Sequence, residues 1–379
     1  MNSVVNFGYK KLVFLIAGLV CFNLCSQEER FIRIEQHTPD VITVGTLYGI
    51  FTVDEPVLIE LFNCPQMKRL EKIQQLGVYG KFSRNYNFNR YEHSVGVWAL
   101  VRRFGGSLQE QVAALLHDVS HTAFSHVGGF VFIDTNLPDA AARMDAYQDD
   151  EHEQYLYESG VAAILKRHGL SVADIYHKNS AFKILEQNLP DMCADRFEYN
   201  IQGALWEGLL TREQAESIIE NVHYEHGFWY FVSRESARQF ALVSMIMTRT
   251  IWGSAENYIT GIWLADALRR AVSLGSLTFD DIRFSDDLFV WSALENSPDV
   301  IIKNNLEKIV NVRNYFVCNH DQFDQVIINK FRGVDPLVQT RFGLERLTKI
   351  DADFAQEYYK MKRTMQHGWY VQNLIGSVA

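Results

Sequence analysis

The run Leu115-Leu116-His117-Asp118-Val119-Ser120-His121-Thr122-Ala123-Phe124-Ser125-His126 constrains this chain more than any other stretch. It sets His117, His121, His126 and the carboxylate of Asp118 at the end of an apolar helical pattern marked by Val112, Leu115, Leu116 and Val119. On a helix, His117 and His121 stand one turn apart on one face, with Asp118 beside them. Imidazole nitrogen and carboxylate oxygen together suit a first-row transition metal better than calcium or magnesium. A His-Asp pair alone carries little meaning. The chain supplies its own control, because His320-Asp321 lies in a polar stretch without neighbouring histidines and reads as exposed.

Two further segments raise the first above chance. Arg90-Tyr91-Glu92-His93-Ser94 lies upstream and Met192-Cys193-Ala194-Asp195-Arg196 downstream, each opening or lining a predicted helix. Three helices can then bring four ligands together. The rest of the pattern is mainly α. Pro65 suits a first helical position, with Met67, Leu70, Ile73 and Leu76 recurring until Gly77 supplies a stop. Val97, Val101 and Phe104 mark a helix ended by Gly105-Gly106, and helical periodicity returns over 152–168, 191–202, 211–221, 234–251 and 256–273. Two stretches read as small β-hairpins: residues 30–53, punctuated by Gly45 and Gly49, and the aromatic segment Val222 to Ser233 around Gly227. The residues from Phe228 to Phe231 read as hairpin core rather than a base-stacking platform.

The order His93, His117-Asp118, Asp195 resembles the signature of HD-domain phosphohydrolases, whose helical core holds a metal with those four side chains. The likeness extends through Lys68-Arg69-Leu70, Gln75-Leu76-Gly77, Arg90 to Gly96, His152-Glu153 and Asp195 to Tyr199 to the deoxynucleoside triphosphate triphosphohydrolases, over residues 45 to 270. It implies an HD-domain helical core with small β-hairpins, and His93, His117, Asp118 and Asp195 as ligands of a divalent transition metal (Fe, Mn, Zn, Ni or Co). It also implies His121, His126, His152 and Glu153 as the catalytic group, with Glu153 orienting His152. Gln75 and Tyr199 match positions at the sugar and its pocket, and Arg90 and Arg196 match positions that contact phosphates. The local readings stay open beside these: Arg90 as an ion-pair partner of an acid, Gln75 as a helix end, Glu153 as a first-turn acid favoured by the helix dipole. Two departures from the family pattern are Gly129 and Gly203, where family members carry acids.

These expectations combine into metal-dependent hydrolysis of nucleotide phosphates, with a deoxynucleoside triphosphate as the substrate the resemblance favours. The alternatives are a degenerate nucleotide-binding member without turnover and a phosphohydrolase of nucleoside monophosphates or cyclic nucleotides. The net charge of -10 and the lack of a long Lys/Arg run argue against a dedicated nucleic-acid surface. Lys10-Lys11, the apolar run Leu12 to Leu24 and the polar turn at Ser26 to Arg30 read as a signal peptide or N-terminal membrane anchor over residues 1–26. Residues 27–274 then form the phosphohydrolase domain and 275–379 a C-terminal helical lobe. Cys64, Cys193 and Cys318, without C-x-x-C spacing, support neither a disulfide framework nor a cysteine zinc site. Relatives commonly assemble, so the resemblance also implies a homo-oligomer.

Overall fold

Helix α1, Arg90–Arg103, is the axis on which the site is built. Asn89 caps it by accepting a hydrogen bond from the Glu92 amide at 2.9 Å, which satisfies one of the amides a helix start leaves without a partner. Every residue from Arg90 to Val101 is buried. A helix covered on all sides carries its polar residues for a reason other than solubility. Helix α2, Leu108–Leu116, lies against it, opened by a capping box between Ser107 and Glu110. Helix α3, Val127–Phe132, and α4, Ala140–Asp150, pack on each other, and α5, His152–Glu158, follows directly. Helix α6, Ala194–Trp206, crosses α1 and brings Asp195 to it, and α7, Ala255–Ser273, backs α3.

The structure, a computed structural model, describes residues 31–84, 88–134 and 136–374. The leader expected over residues 1–26 lies outside them. Among the described residues no helix is long and apolar enough to cross a membrane.

Among the described residues three small sheets flank the helices. Strands β1 (Arg33–Thr38), β2 (Val41–Thr46) and β3 (Gly49–Val53) form an antiparallel meander, one strand more than the expected hairpin. Ile42 and Val44 alternate inward along β2 and join the main core. The aromatic hairpin is β4 (Val222–Glu225) and β5 (Phe228–Phe231), with Val222 opposite Phe231. Trp229, Tyr230 and Phe231 are buried, as core residues rather than a stacking platform, whereas Phe228, read with them as core, is exposed at the hairpin turn. Beyond residue 275, short helices give way to β6 (Phe316–Cys318), β7 (Gln325–Ile327), β8 (Leu337–Thr340), β9 (Gly343–Arg346) and β10 (Trp369–Asn373). β8 pairs in parallel with β5, so the hairpin grows into a four-stranded sheet ordered β4-β5-β8-β9. β6, β10 and β7 form the third sheet.

Several predicted helices break where the site needs them to. The pattern after Pro65 is helical only to Arg69, and Gly77 begins a short new turn with φ +58° instead of ending a helix. A Cβ there would strike the carbonyl oxygen of Phe124, so the glycine permits close approach to the His121–His126 loop. α2 ends at Leu116, and His117 to His126 form turns in which Phe124 and Ser125 take φ of 58° and 60°. His117 and His121 are therefore not on one helical face as the spacing suggested.

Candidate metal centre and cleft

His117 lies at the C-terminal end of α2, His93 in the first turn of α1 and Asp195 in the first turn of α6. His93 Nε2 is 3.0 Å from Asp195 Oδ1 and 3.2 Å from His117 Nε2, and His117 Nε2 is 3.5 Å from Asp195 Oδ1. Asp118 completes the group, its oxygens 3.5 Å from His93 Nε2 and 3.6 Å from His117 Nε2. Two ligands bonded to one ion at about 2.0–2.2 Å stand roughly 3.0–3.5 Å apart for octahedral to tetrahedral angles. His93, His117 and Asp195 fit that spacing with one atom each, and Asp118 reaches the two histidines with different oxygens.

The outer nitrogens of both histidines are engaged, so that each Nε2 turns inward. His117 Nδ1 donates to the Ala114 carbonyl at 2.7 Å, and His93 Nδ1 bonds Glu198 Oε2 at 2.5 Å. An imidazole whose far nitrogen is held by a carbonyl or carboxylate is the usual way proteins orient a metal ligand. Electrostatics agree. Burial opposes charge on His93, but Glu198, Asp195 and Asp118 push its pKa up to about 10, and the same kind of acidic surroundings raise His117. Burial works against ionising Asp118 too, yet Arg90 and the histidines hold its pKa well below the ordinary carboxylate range. The cluster draws positive charge to its centre.

Arg90 is wholly buried and spends its fork on Asp118, on Ser125 Oγ at 2.7 Å and on the Gln75 carbonyl at 3.4 Å. Arg196 donates to the carbonyls of Asp191 and Gln187 and lies 3.5 Å from Glu186. Neither lines the cleft beside the metal centre. In this structure the first guanidinium is held by the Asp118 carboxylate and the second fastens the chain that enters α6.

Glu153 is exposed and lines a separate depression with Asp149 and Tyr176. His152 is instead held by Ser120, whose hydroxyl donates to the Gln148 carbonyl at 3.3 Å and accepts from His152 Nδ1 at 2.9 Å. Beside it lies His177, ring centroids 4.5 Å apart, itself 3.2 Å from Asp149. Burial lowers the pKa of His152 well below the usual value, leaving it neutral with Nε2 buried and without a partner among the described residues. His121 gives Nε2 to Asp118 Oδ1 at 3.1 Å, and burial, then Arg90, lowers its pKa to about 4, so Nδ1 is an acceptor without a protein partner.

Gln75, His126 and Tyr199 lie on the wall of one cleft with Trp252, Asn257 and Arg332. His126 is open to solvent there and stands edge-on to His121 with ring centroids 4.9 Å apart. His320 and Asp321 are exposed, as read from their polar setting. Sequence reasoning missed Glu198, His177, Asp149 and Arg332. Glu198 alone carried a signal, standing three residues after Asp195 and so on the same helical face.

Comparison with known proteins fits this geometry. The family described as "HD domain" matches residues 90–198. An uncharacterized Bacillus subtilis protein, YdhJ, is 29% identical over 294 residues, covering 77% of this chain and 86% of that protein. The metal-dependent phosphohydrolase cns2 of Cordyceps militaris is 38% identical over 176 residues, 46% of this chain and 48% of its own. Human deoxynucleoside triphosphate triphosphohydrolase SAMHD1 is 28% identical over 162 residues, 39% of this chain and 26% of its own. A solved phosphohydrolase structure from Bacteroides thetaiotaomicron shares the fold with a TM-score of 0.58 at 15% identity, over 91% of this chain and 99% of that one.

Proposed function

We propose that this chain, which belongs to the HD-domain metal-dependent phosphohydrolases, hydrolyses the phosphate ester or anhydride of a nucleotide, with a deoxynucleoside triphosphate as first substrate. The observation that carries the reading is the meeting of His93, His117, Asp118 and Asp195 beside a cleft lined by Gln75, His126 and Tyr199. These four residues would hold a divalent transition metal, which supplies Lewis-acid activation of the phosphoryl group and of attacking water. The likeness to SAMHD1 supports the deoxynucleoside triphosphate, over a minor part of the chain.

The chain's own residues divide the remaining work. Burial first, then His121 and Arg90, hold the pKa of His126 well below the usual value, so this cleft-facing histidine serves as general acid once a substrate phosphate offsets that field, a contribution of about 10²–10⁴-fold for general acids. The acceptor nitrogens of neutral His121 and His152 orient water through lone pairs that no protein donor claims. Gln75 and Tyr199 hold the sugar and base against Trp252. A second reading, a nucleoside monophosphate substrate, is favoured by charge: among the described lining residues the cleft carries one guanidinium, that of Arg332, and no lysine.

The test is metal analysis of the purified chain followed by turnover on a nucleotide panel with the product identified. Tripolyphosphate assigns triphosphates and orthophosphate assigns monophosphates. His117→Ala is expected to lose both metal and turnover. A chain that holds no metal and turns over no nucleotide overturns the reading.

A further inference from the structure

Between β7 and β8 the chain runs without regular structure over residues 328–336, yet it is fastened along its length. Asn329 Nδ2 donates to the carbonyls of Gly253 at 3.0 Å and Ser254 at 3.4 Å. Lys330 and Arg332 both pair with Asp145 of α4, the lysine at 2.8 Å. The Tyr358 hydroxyl donates to the Gly333 carbonyl at 3.4 Å. These anchors lay Arg332 on the cleft wall with Gln75, His126 and Tyr199. A guanidinium has five N–H donors. Asp145 takes Nη2, and the Arg332 side chain remains 33% exposed.

We propose that Arg332 is the cleft's phosphate-binding residue, carried in by segment 328–336 and aimed by Asp145. The proposal rests on the reading of the cleft as a nucleotide site. Three observations support it. The arginines suggested by sequence, Arg90 and Arg196, are committed to Asp118 and to backbone carbonyls. Asp145 faces two cations, Lys330 and Arg332, so the group keeps one positive charge that a phosphate can meet. Arg332 and His126 line the same cleft, which places the guanidinium near the histidine assigned here to the leaving oxygen. The position is made by Gly129: a Cβ there would strike the Met144 carbonyl, so its absence lets α4 approach and present Asp145 to the cleft.

The experiment is calorimetry on the metal-loaded full chain with two probes: a nucleoside phosphonate, its bridging oxygen replaced by methylene, and the matching nucleoside. A charge-assisted hydrogen bond corresponds to about 10–100-fold in affinity. Arg332→Gln is expected to weaken the phosphonate by that factor and to leave the nucleoside within about twofold. Arg332→Lys should recover part of the loss, because a lysine keeps the charge without the fork. Thermal unfolding and metal content of both variants should match the parent. Unchanged phosphonate binding in Arg332→Gln, equal weakening of both probes, or a parent chain that does not bind the phosphonate overturns the proposal. Arg332-dependent binding without turnover of any nucleotide sinks the hydrolytic reading alone. Turnover whose KM ignores Arg332 sinks this one alone.

Discussion

Glu198 shows how much of the metal centre lies outside its ligands. Its carboxylate holds His93 Nδ1 and receives the Tyr48 hydroxyl at 3.4 Å, deep in the core. Partners of metal-bound histidines are worth about 10–100-fold in metal affinity when removed. Glu198→Gln is therefore expected to weaken metal binding by that range, read by competition with a chelator, while the fold persists; unchanged affinity would remove Glu198 from the site. Gly96 sits where a Cβ would strike that carboxylate, so Gly96→Ala should move metal affinity in the same direction and lower the melting temperature as well. The four candidate ligands were legible because their order and helical context repeat a known pattern. Glu198 was legible in principle from its spacing to Asp195. His177 and Asp149 were not, since no sequence periodicity brings a loop histidine against His152.

At the scale of elements, the His117–His126 turn is held by its surroundings. Asp287 accepts from the amides of Phe124 at 2.6 Å and Gln74 at 3.0 Å, tying that turn to the segment after Pro65. Burial raises the pKa of Asp287 to about 6, against the two amide bonds that lower it. The sign follows from linkage. The folded state takes up a proton that the unfolded chain, with a carboxyl near 3.9, has already lost. This group's contribution is most favourable below about pH 4, falls as pH rises to about 6, and is level above that. The stability difference between the parent and Asp287→Asn should change across that window and stay flat above about pH 7 in denaturant titrations; a difference independent of pH would refute the assignment. Gly129 makes the complementary case. An acid or even alanine there must displace α4, so Gly129→Asp is expected to cost about 1–3 kcal/mol of stability from overpacking, a drop of several degrees in Tm, without raising activity. The sequence could show that this position lacks the family's acid. It could not show that the backbone of Met144 occupies the space. Helix starts with caps, such as Asn89 and Ser107, were readable; the early end of α2 was not, because Phe124 and Ser125 adopt left-handed φ without glycine to announce it.

The whole molecule decides whether the catalytic part can stand without its C-terminal part. Residues from Ile32 onward form one compact unit. Val334, Val338, Leu347, Phe354 and Tyr358 are buried in the same cluster as Val95 and Phe197, which flank the metal ligands in α1 and α6. Fully burying a large apolar side chain contributes about 1.5–3 kcal/mol, so these five alone match the roughly 5–15 kcal/mol that separates folded from unfolded chains. The parallel pairing of β8 with β5 adds main-chain bonds across the same junction. A chain ending at Leu274 is thus expected to lose cooperative thermal unfolding and metal binding together, although all four proposed ligands remain in it. A truncated protein that melts cooperatively and still binds metal would mean that the C-terminal part serves the cleft alone, through Arg332, and not the fold.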